Sequence, residues 1–150
     1  MRRTGSSVLA LVVSWSVLCA ARAVGDAPPA IAVGEMATQA GAQLSADALG
    51  DALSRALSGR DDVRLAADAA RARYVLRGSI VRLTQRDVQD GLEVRCEVSL
   101  VVSDARGGAI RALLSGRAGA RGADDVARLS QAALEGAVRG ALRPLGERLH

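Results

Sequence analysis

Cys96 is the residue whose surroundings in the sequence most resemble those of a reactive thiol. It lies between Arg95 and Glu97, so a cation and a carboxylate flank the sulfur along the chain. A cysteine nucleophile is normally activated by a neighbouring general base such as histidine. The only histidine is His150, the final residue. Because the sequence offers Cys96 no nearby base, we predict no catalytic residue in this chain.

The alternation of residues around Cys96 predicts a strand that carries both charges away from the sulfur. Side chains in a strand point alternately to its two faces, which puts Arg95 and Glu97 opposite Cys96. Free cysteine is among the most buried residue types, and a buried thiol is unreactive because its pKa is raised. We therefore predict Cys96 as a core residue. Its face of the strand is apolar: Leu92, Val94, Cys96, Val98, Leu100 and Val102.

Two aspartate pairs and one glycine-rich segment are the other candidates for chemistry. Asp61-Asp62 and Asp124-Asp125 could act as acid and base, but a turn or a helix start is expected at each pair. The segment 116–125, GRAGARGADD, lies between a strand and a helix, where phosphate loops occur. It has no lysine, and its aspartates would repel a phosphate, so we predict a flexible strand exit. One histidine and one cysteine cannot supply a metal site.

The first 23 residues have the three parts of a secretory signal peptide. Arg2 and Arg3 give a charged start, residues 8–21 are mainly apolar, and Ala21 and Ala23 form an A-x-A cleavage site. The apolar run is shorter than the about 20 residues that span a bilayer. We predict cleavage after Ala23 and a periplasmic or secreted protein.

Two other fates of the amino terminus stay open as alternatives. Lipid attachment at Cys19 requires a small preceding residue, and Leu18 is bulky. Export by the twin-arginine route would use Arg2-Arg3, but no apolar residue follows them closely. Beyond the signal, residues 24–30, VGDAPPA, predict a short disordered lead-in because neighbouring prolines favour extended backbone.

Charge and aromatic content exclude nucleic acid as the partner. The chain has 20 basic and 16 acidic residues, but three arginines leave with the predicted signal peptide, so the mature chain is nearly neutral. Nucleic-acid binders carry a basic stripe and usually aromatic stacking platforms. Tyr74 is the only aromatic residue beyond the signal. We predict no cofactor, because a ligand pocket would also have to be built with this single aromatic side chain.

Residues 31–150 predict one α/β domain with the element order β-α-β-β-β-β-α. Ser45 is suited to cap the first helix, which ends at Gly59. Asp124 and Asp125 favour the start of the second helix, while Pro144 limits or kinks its end, and residues 147–150, ERLH, are expected to be a frayed tail. The predicted strands begin at 30, 63, 74, 92 and 110, with a helical turn at 69–73, and the fourth and fifth end near 102 and 118.

The last three strands predict an antiparallel meander within a mixed sheet. Asp90-Gly91 and the segment 103–108, SDARGG, supply the two turns. One face of the meander is apolar and the other is polar, so both helices are expected on the apolar face as a two-layer sandwich. Gly78, in the middle of a strand, indicates a bulge or a close backbone approach.

The element order and the block from Ala72 to Ile80, ARYVLRGSI, resemble a group of small periplasmic α/β domains. These are the periplasmic domain of the curli secretion channel, the lipoprotein activators of penicillin-binding proteins, and the amino-terminal domain of the Tol–Pal propeller protein. The resemblance covers nearly the whole mature chain and rests on a structural motif. It implies a non-enzymatic module of the cell envelope that binds another protein.

The polar face of the meander is the candidate binding surface. Its charged residues could form ordinary cross-strand ion pairs, each worth about 0.2–1 kcal/mol, or a docking surface for another envelope protein. We predict the second role, as an adaptor or activator, with a small exported enzyme or ligand carrier as the alternative. The residues of the predicted docking surface are Arg77, Arg95, Glu97, Arg111 and Arg117, with Glu93 among them.

Overall fold

The computed structural model describes residues 27–39, 43–123 and 125–149. The predicted signal peptide, Cys19, the cleavage site at Ala21 and Ala23, and also Asp124 and His150 lie outside the described residues. The elements are β1 (Ala30–Thr38), α1 (Ala46–Ser58), β2 (Arg64–Leu65), a 3-10 turn (Ala69–Arg71), β3 (Tyr74–Val88), β4 (Gly91–Asp104), β5 (Ile110–Gly122), α2 (Val126–Leu142) and α3 (Leu145–Leu149).

The five strands form one mixed sheet in the order β2-β1-β3-β4-β5. β1 runs parallel to both β2 and β3, whereas β3, β4 and β5 form an antiparallel meander. The mixed α+β class is therefore confirmed, and the two-layer arrangement stays a prediction. Cys96 lies in the middle of β4, opposite Leu83 of β3 and Ala118 of β5.

Both long helices begin at polar caps and turn an apolar stripe into the core. The Ser45 hydroxyl accepts a hydrogen bond from the Ala48 amide at 3.2 Å, and the Asp125 carboxylate accepts one from the Arg128 amide at 2.8 Å. Such caps satisfy amide groups that have no partner within the helix. The buried stripes are Leu49, Ala52, Leu53 and Leu57 in α1, and Leu129, Ser130, Ala133, Leu134, Ala137, Val138, Ala141 and Leu142 in α2.

The flexible strand exit predicted for residues 116–125 is wrong. β5 continues through this segment to Gly122, which pairs with Leu92 of β4. The glycines allow α2 to lie close against the strand, since a Cβ on Gly116 would lie 2.0 Å from the Ala137 carbonyl oxygen. The segment is therefore a packed edge strand.

The frayed carboxyl-terminal tail is also wrong. α2 ends at Leu142, and Pro144 begins the next helical turn. The Pro144 carbonyl accepts a hydrogen bond from the Arg148 amide at 3.2 Å. A proline is well tolerated at a helix start, where its missing N–H costs nothing. Leu145 is fully buried in the common core, and this contact explains why α3 is ordered.

Gly78 has the close contacts that its position in a strand indicated. A Cβ at this residue would lie 2.7 Å from Leu100 Cδ2 and 3.3 Å from Met36 Sδ. The pairing of β3 with β4 also shifts between Ile80 and Arg82, which marks a bulge.

Among the described helices, none has the length and apolarity needed to cross a membrane.

Candidate functional site

Cys96 is a core residue, as its place in the alternation predicted. The residue is 2% exposed, and burial raises the pKa of its thiol to about 11. Arg95 and Glu97 make their ion pairs with Glu93 and Arg117 on the opposite face of the sheet. Because a protonated and inaccessible thiol is not a nucleophile, Cys96 has no chemistry to contribute in the folded state.

Two of the aspartates singled out in the sequence, Asp62 and Asp125, have structural roles. Arg60 Nε donates a hydrogen bond to the Asp62 carboxylate at 2.8 Å, and Arg60 also donates to the Leu142 carbonyl at 2.9 Å. Asp125 caps α2. Within the described ranges, no group of three or more histidine, cysteine, aspartate or glutamate residues could hold a metal ion.

The most extensive candidate site is the face of the meander opposite Cys96, which we call the outer sheet face. Alternation along β3, β4 and β5 places polar side chains there, and most of these residues are exposed. The registers set Arg82 opposite Glu97 and Glu97 opposite Arg117, so charges of opposite sign are neighbours across the strands. The outer sheet face consists of Arg77, Ser79, Arg82, Thr84, Arg86, Glu93, Arg95, Glu97, Ser99, Val101, Leu113, Ser115, Arg117 and Arg121.

Glu93 is the anchor of this face. It is 4% exposed, and its carboxylate accepts hydrogen bonds from Arg86, from Arg121 at 2.8 Å and from Arg95 at 3.3 Å. Burial by itself would raise its pKa, but the hydrogen bonds and charges of Arg121 and Arg86 outweigh burial and lower the pKa of Glu93 to about 2. Glu93 is therefore a fixed anion that orients three guanidinium groups.

Only part of the predicted docking surface comes together around this anchor. Arg95 contacts Glu93, and Arg117 Nη2 donates a hydrogen bond to Glu97 Oε1 at 2.8 Å. Arg111 is instead held by Asp104 at 2.6–2.9 Å. Those contacts lower the pKa of the Asp104 carboxyl and raise the pKa of the Arg111 guanidinium. Arg111 therefore belongs to the end of the sheet where β5 begins.

Arg77 and Arg82 differ from the other arginines of the outer sheet face. In the part of the chain that the structure describes, neither makes an ion pair of 4.0 Å or less. Arg77 lies opposite Val101, and Val101 lies opposite Leu113, which is 71% exposed. Two unpaired cations and an exposed leucine thus lie on the same surface as the ion pairs.

Sequence reasoning missed Arg82, Arg86 and Arg121 as members of this face. Arg86 and Arg121 lie on parts of β3 and β5 beyond the predicted strand ends, which are Leu83 for the third strand and near residue 118 for the fifth. The bulge near Val81 changes the alternation, so that Arg82 and Glu97 share a face. The signal that could have indicated the extension is the placement of arginines on both sides of the Asp90-Gly91 turn and at the end of β5.

The outer sheet face is basic although the mature chain is predicted to be nearly neutral. Two carboxylates lie on it, and both are engaged in ion pairs. The arginines outnumber these carboxylates and project from all three strands, so an acidic surface is its electrostatic complement. These arginines are Arg77, Arg82, Arg86, Arg95, Arg117 and Arg121.

Comparison with known proteins identifies the fold. No protein-family model matches the sequence, and no curated protein matches it either. PelC from Paraburkholderia phytofirmans, solved as a dodecamer, is 21% identical, with a TM-score of 0.62 over 80% of this chain and 90% of its own. A DUF330-family protein from Xanthomonas campestris is 15% identical, with a TM-score of 0.56 over 79% of this chain and 81% of its own.

A minor lipoprotein from Acinetobacter baumannii has the same fold, with 15% identity and a TM-score of 0.51 over 81% of this chain and 95% of its own. The resemblance to small lipoprotein-like domains is therefore confirmed at the level of the fold. The particular likeness to the curli channel and to the Tol–Pal propeller protein stays a prediction.

Proposed function

We propose that this chain is an exported cell-envelope domain without catalytic activity, which acts as an adaptor or activator by binding another protein through the outer sheet face. The signal-like amino terminus supports export, as does the lipoprotein among its structural neighbours. The observation that carries the proposal is the exposed, basic and internally braced surface of the meander.

The bracing of this surface favours binding. Glu93 and Glu97 hold four arginines in place, so less side-chain freedom is lost when a partner docks. Arg77 and Arg82, which lack ion pairs in the described part of the chain, supply cations for an acidic partner. Arginine is enriched at protein interfaces and is frequent among the residues that contribute most to affinity.

Apolar side chains on the same face complete an interface-like composition. Leu113 is 71% exposed and lies opposite Val101 across the strands. An exposed leucine on the same face as unpaired arginines lets a partner bury apolar area while the charges fix its orientation. We therefore infer that the partner has an acidic surface with an apolar patch at one side.

The alternative function, a small exported enzyme or ligand carrier, has less support. The Cys96 thiol is buried with a raised pKa, Asp62 is held in an ion pair with Arg60, and Asp125 caps α2. The depression on the outer sheet face is shallow, and five charged residues, Arg82, Glu93, Arg95, Glu97 and Arg117, make up half of its lining. A site of this kind suits a macromolecular surface better than a small apolar ligand.

Site-specific photo-crosslinking in cells tests the proposal. A photoreactive amino acid replaces Arg82 or Ser99 on the outer sheet face, or Ser54 or Arg139 on the helices as matched controls. We expect one protein to be crosslinked from both sheet positions and from neither helix position. Because PelC is solved as a dodecamer, a second copy of this chain is one possible partner, and its mass would identify it. Crosslinks from the helix positions alone would contradict the proposal.

A further inference from the structure

Four arginines surround the point where the chain enters β1. Arg64, Arg71, Arg73 and Arg106 line one shallow depression together with residues 27–30, and all four are exposed. They come from β2, the 3-10 turn, the residue before β3, and the turn between β4 and β5. The fold gathers these residues from four separate segments. We call them the amino-terminal arginine cluster.

Backbone hydrogen bonds fix the cluster relative to the start of β1. The Arg64 amide donates to the Pro29 carbonyl at 3.0 Å, and the Arg73 amide donates to the Ala30 carbonyl at 2.8 Å. The Arg73 carbonyl in turn accepts a hydrogen bond from the Ala105 amide at 3.0 Å. The backbone that carries these arginines is therefore fixed at the end of the sheet, next to residues 27–29.

The charges near the cluster leave it positive. Asp104 is the only carboxylate among the described residues that line the depression, and Arg111 binds both of its oxygens. Asp68 lies 3.8 Å from Arg71. Arg64 and Arg106 make no ion pair with any described residue. Arg73 also makes no ion pair within the described ranges, and its guanidinium carbon lies 5.2 Å from the centroid of the Tyr74 ring. Three cations are thus unneutralised at the surface, beside Arg71, which is partly engaged.

The sequence before this point sets how far the cluster can lie from a membrane. The apolar run of the predicted signal ends at Ala21, and residues 22–26 separate it from Ala27. An extended chain advances at most about 3.6 Å per residue, so these residues reach about 18 Å. Before cleavage, an inserted apolar run would keep Ala27 within this distance of the membrane, so the arginine end of the domain can reach the bilayer surface.

We propose that the amino-terminal arginine cluster docks on anionic lipid headgroups. The positive charge complements phosphate-bearing headgroups, and each arginine near such a surface contributes to binding. The attraction falls within a Debye length, about 8 Å at physiological salt, so an end held near the bilayer is the one that can use it. This surface is separate from the outer sheet face, and the proposal does not depend on the protein partner.

Vesicle flotation tests this assignment with protein recovered from the cell envelope, whose amino terminus is determined by mass spectrometry. The vesicles are phosphatidylcholine alone or phosphatidylcholine with one quarter phosphatidylglycerol. We expect binding only to the anionic vesicles, weakened by added salt. The double variant Arg64→Glu/Arg106→Glu should lose more than about tenfold of its partitioning. The control Arg55→Glu/Arg139→Glu on the helices, with the same change of charge, should stay within about twofold of the wild type.

Three results would overturn the proposal. One is equal binding to both kinds of vesicle, and another is equal binding of the cluster variant and the wild type to anionic vesicles. The third is binding to polyglutamate that requires Arg64 and Arg106 without any binding to anionic vesicles, which would assign this end to an acidic protein instead. Circular dichroism of each variant establishes that it is folded, and a single Arg106→Gln variant replaces the double variant if that one does not fold.

Discussion

Gly116 of β5 lies directly against Ala137 of α2, so closely that a Cβ on the glycine would be 2.0 Å from the Ala137 carbonyl oxygen and 2.6 Å from the Ala141 amide nitrogen. A second close contact lies one residue earlier in the helix, since a Cβ on Gly136 would lie 2.8 Å from the Ala118 Cβ. The second helix therefore packs on the edge strand by backbone contact. This packing supports the inner face of β5, and the side chains of Arg117 and Arg121 project from the opposite face, where they make ion pairs.

Gly116→Ala should lower the free energy of unfolding by about 2 kcal/mol or more, because overpacking against backbone forces the helix away from the strand. Urea unfolding followed by circular dichroism measures the loss. Gly119→Ala is the matched control on the same strand, where the nearest atom would be Val94 O at 3.4 Å. A Gly116→Ala midpoint equal to that of the control would contradict the close approach of α2.

The thiol of Cys96 should react with a thiol reagent only when the protein unfolds. The residue is 2% exposed and its thiol pKa is about 11, so both access and ionisation oppose labelling. Labelling kinetics in increasing urea should follow the unfolding transition. Cys96→Val should retain partner binding, and Cys96→Ala should cost about 1 kcal/mol through the lost contacts. Rapid labelling of native protein would contradict the register of β4.

Glu93 should make the domain lose stability in acid. Its folded-state pKa of about 2 lies below the ordinary value of 4.5, so its contribution is fully present above about pH 4.5 and is lost as the pH falls through about 2. Glu93→Gln should therefore flatten the stability profile between these values. Glu147→Gln, at an exposed position of α3, should keep the wild-type profile. If stability depended on pH in the same way for Glu93→Gln and the wild type, the proposed role of Glu93 as an anchor would be contradicted.

Leu145 should be required for the stability of the carboxyl-terminal end. Its side chain is fully buried, and removing a buried leucine typically costs about 2–5 kcal/mol. Leu145→Ala should show this loss in thermal or urea unfolding, whereas Arg148→Ala, one turn later and exposed, should be nearly neutral. An unchanged Leu145→Ala variant would mean that α3 does not pack on the core.

Local patterns predicted the parts of the fold whose causes are local. Alternation around Cys96 reports which face is buried, and it placed Arg95 and Glu97 correctly on the opposite side. Ser45 and Asp125 act through groups three residues away, so their capping role follows from short sequence windows. The Asp90-Gly91 turn likewise joins β3 to β4.

The remaining features depend on contacts between distant segments. The glycines of 116–122 predict a loop when the sequence is considered alone. Their role in the strand follows only from the close packing of α2 against it. In the sequence, Pro144 predicts the end of helical structure, because the burial of Leu145 in the core is not visible from local residues. The Glu93 anchor needs Arg86 and Arg121, which come from different strands, and no short sequence window contains all three.

The central claim is that the outer sheet face binds the partner, and the most direct test is the affinity of the crosslinked partner for the double variant Arg77→Glu/Arg82→Glu. Neither arginine is ion-paired among the described residues, so unfolding should match the wild type. The account predicts affinity weakened at least about tenfold, with Arg55→Glu/Arg139→Glu on the helices close to the wild type. Unchanged affinity of the Arg77→Glu/Arg82→Glu variant would contradict the account.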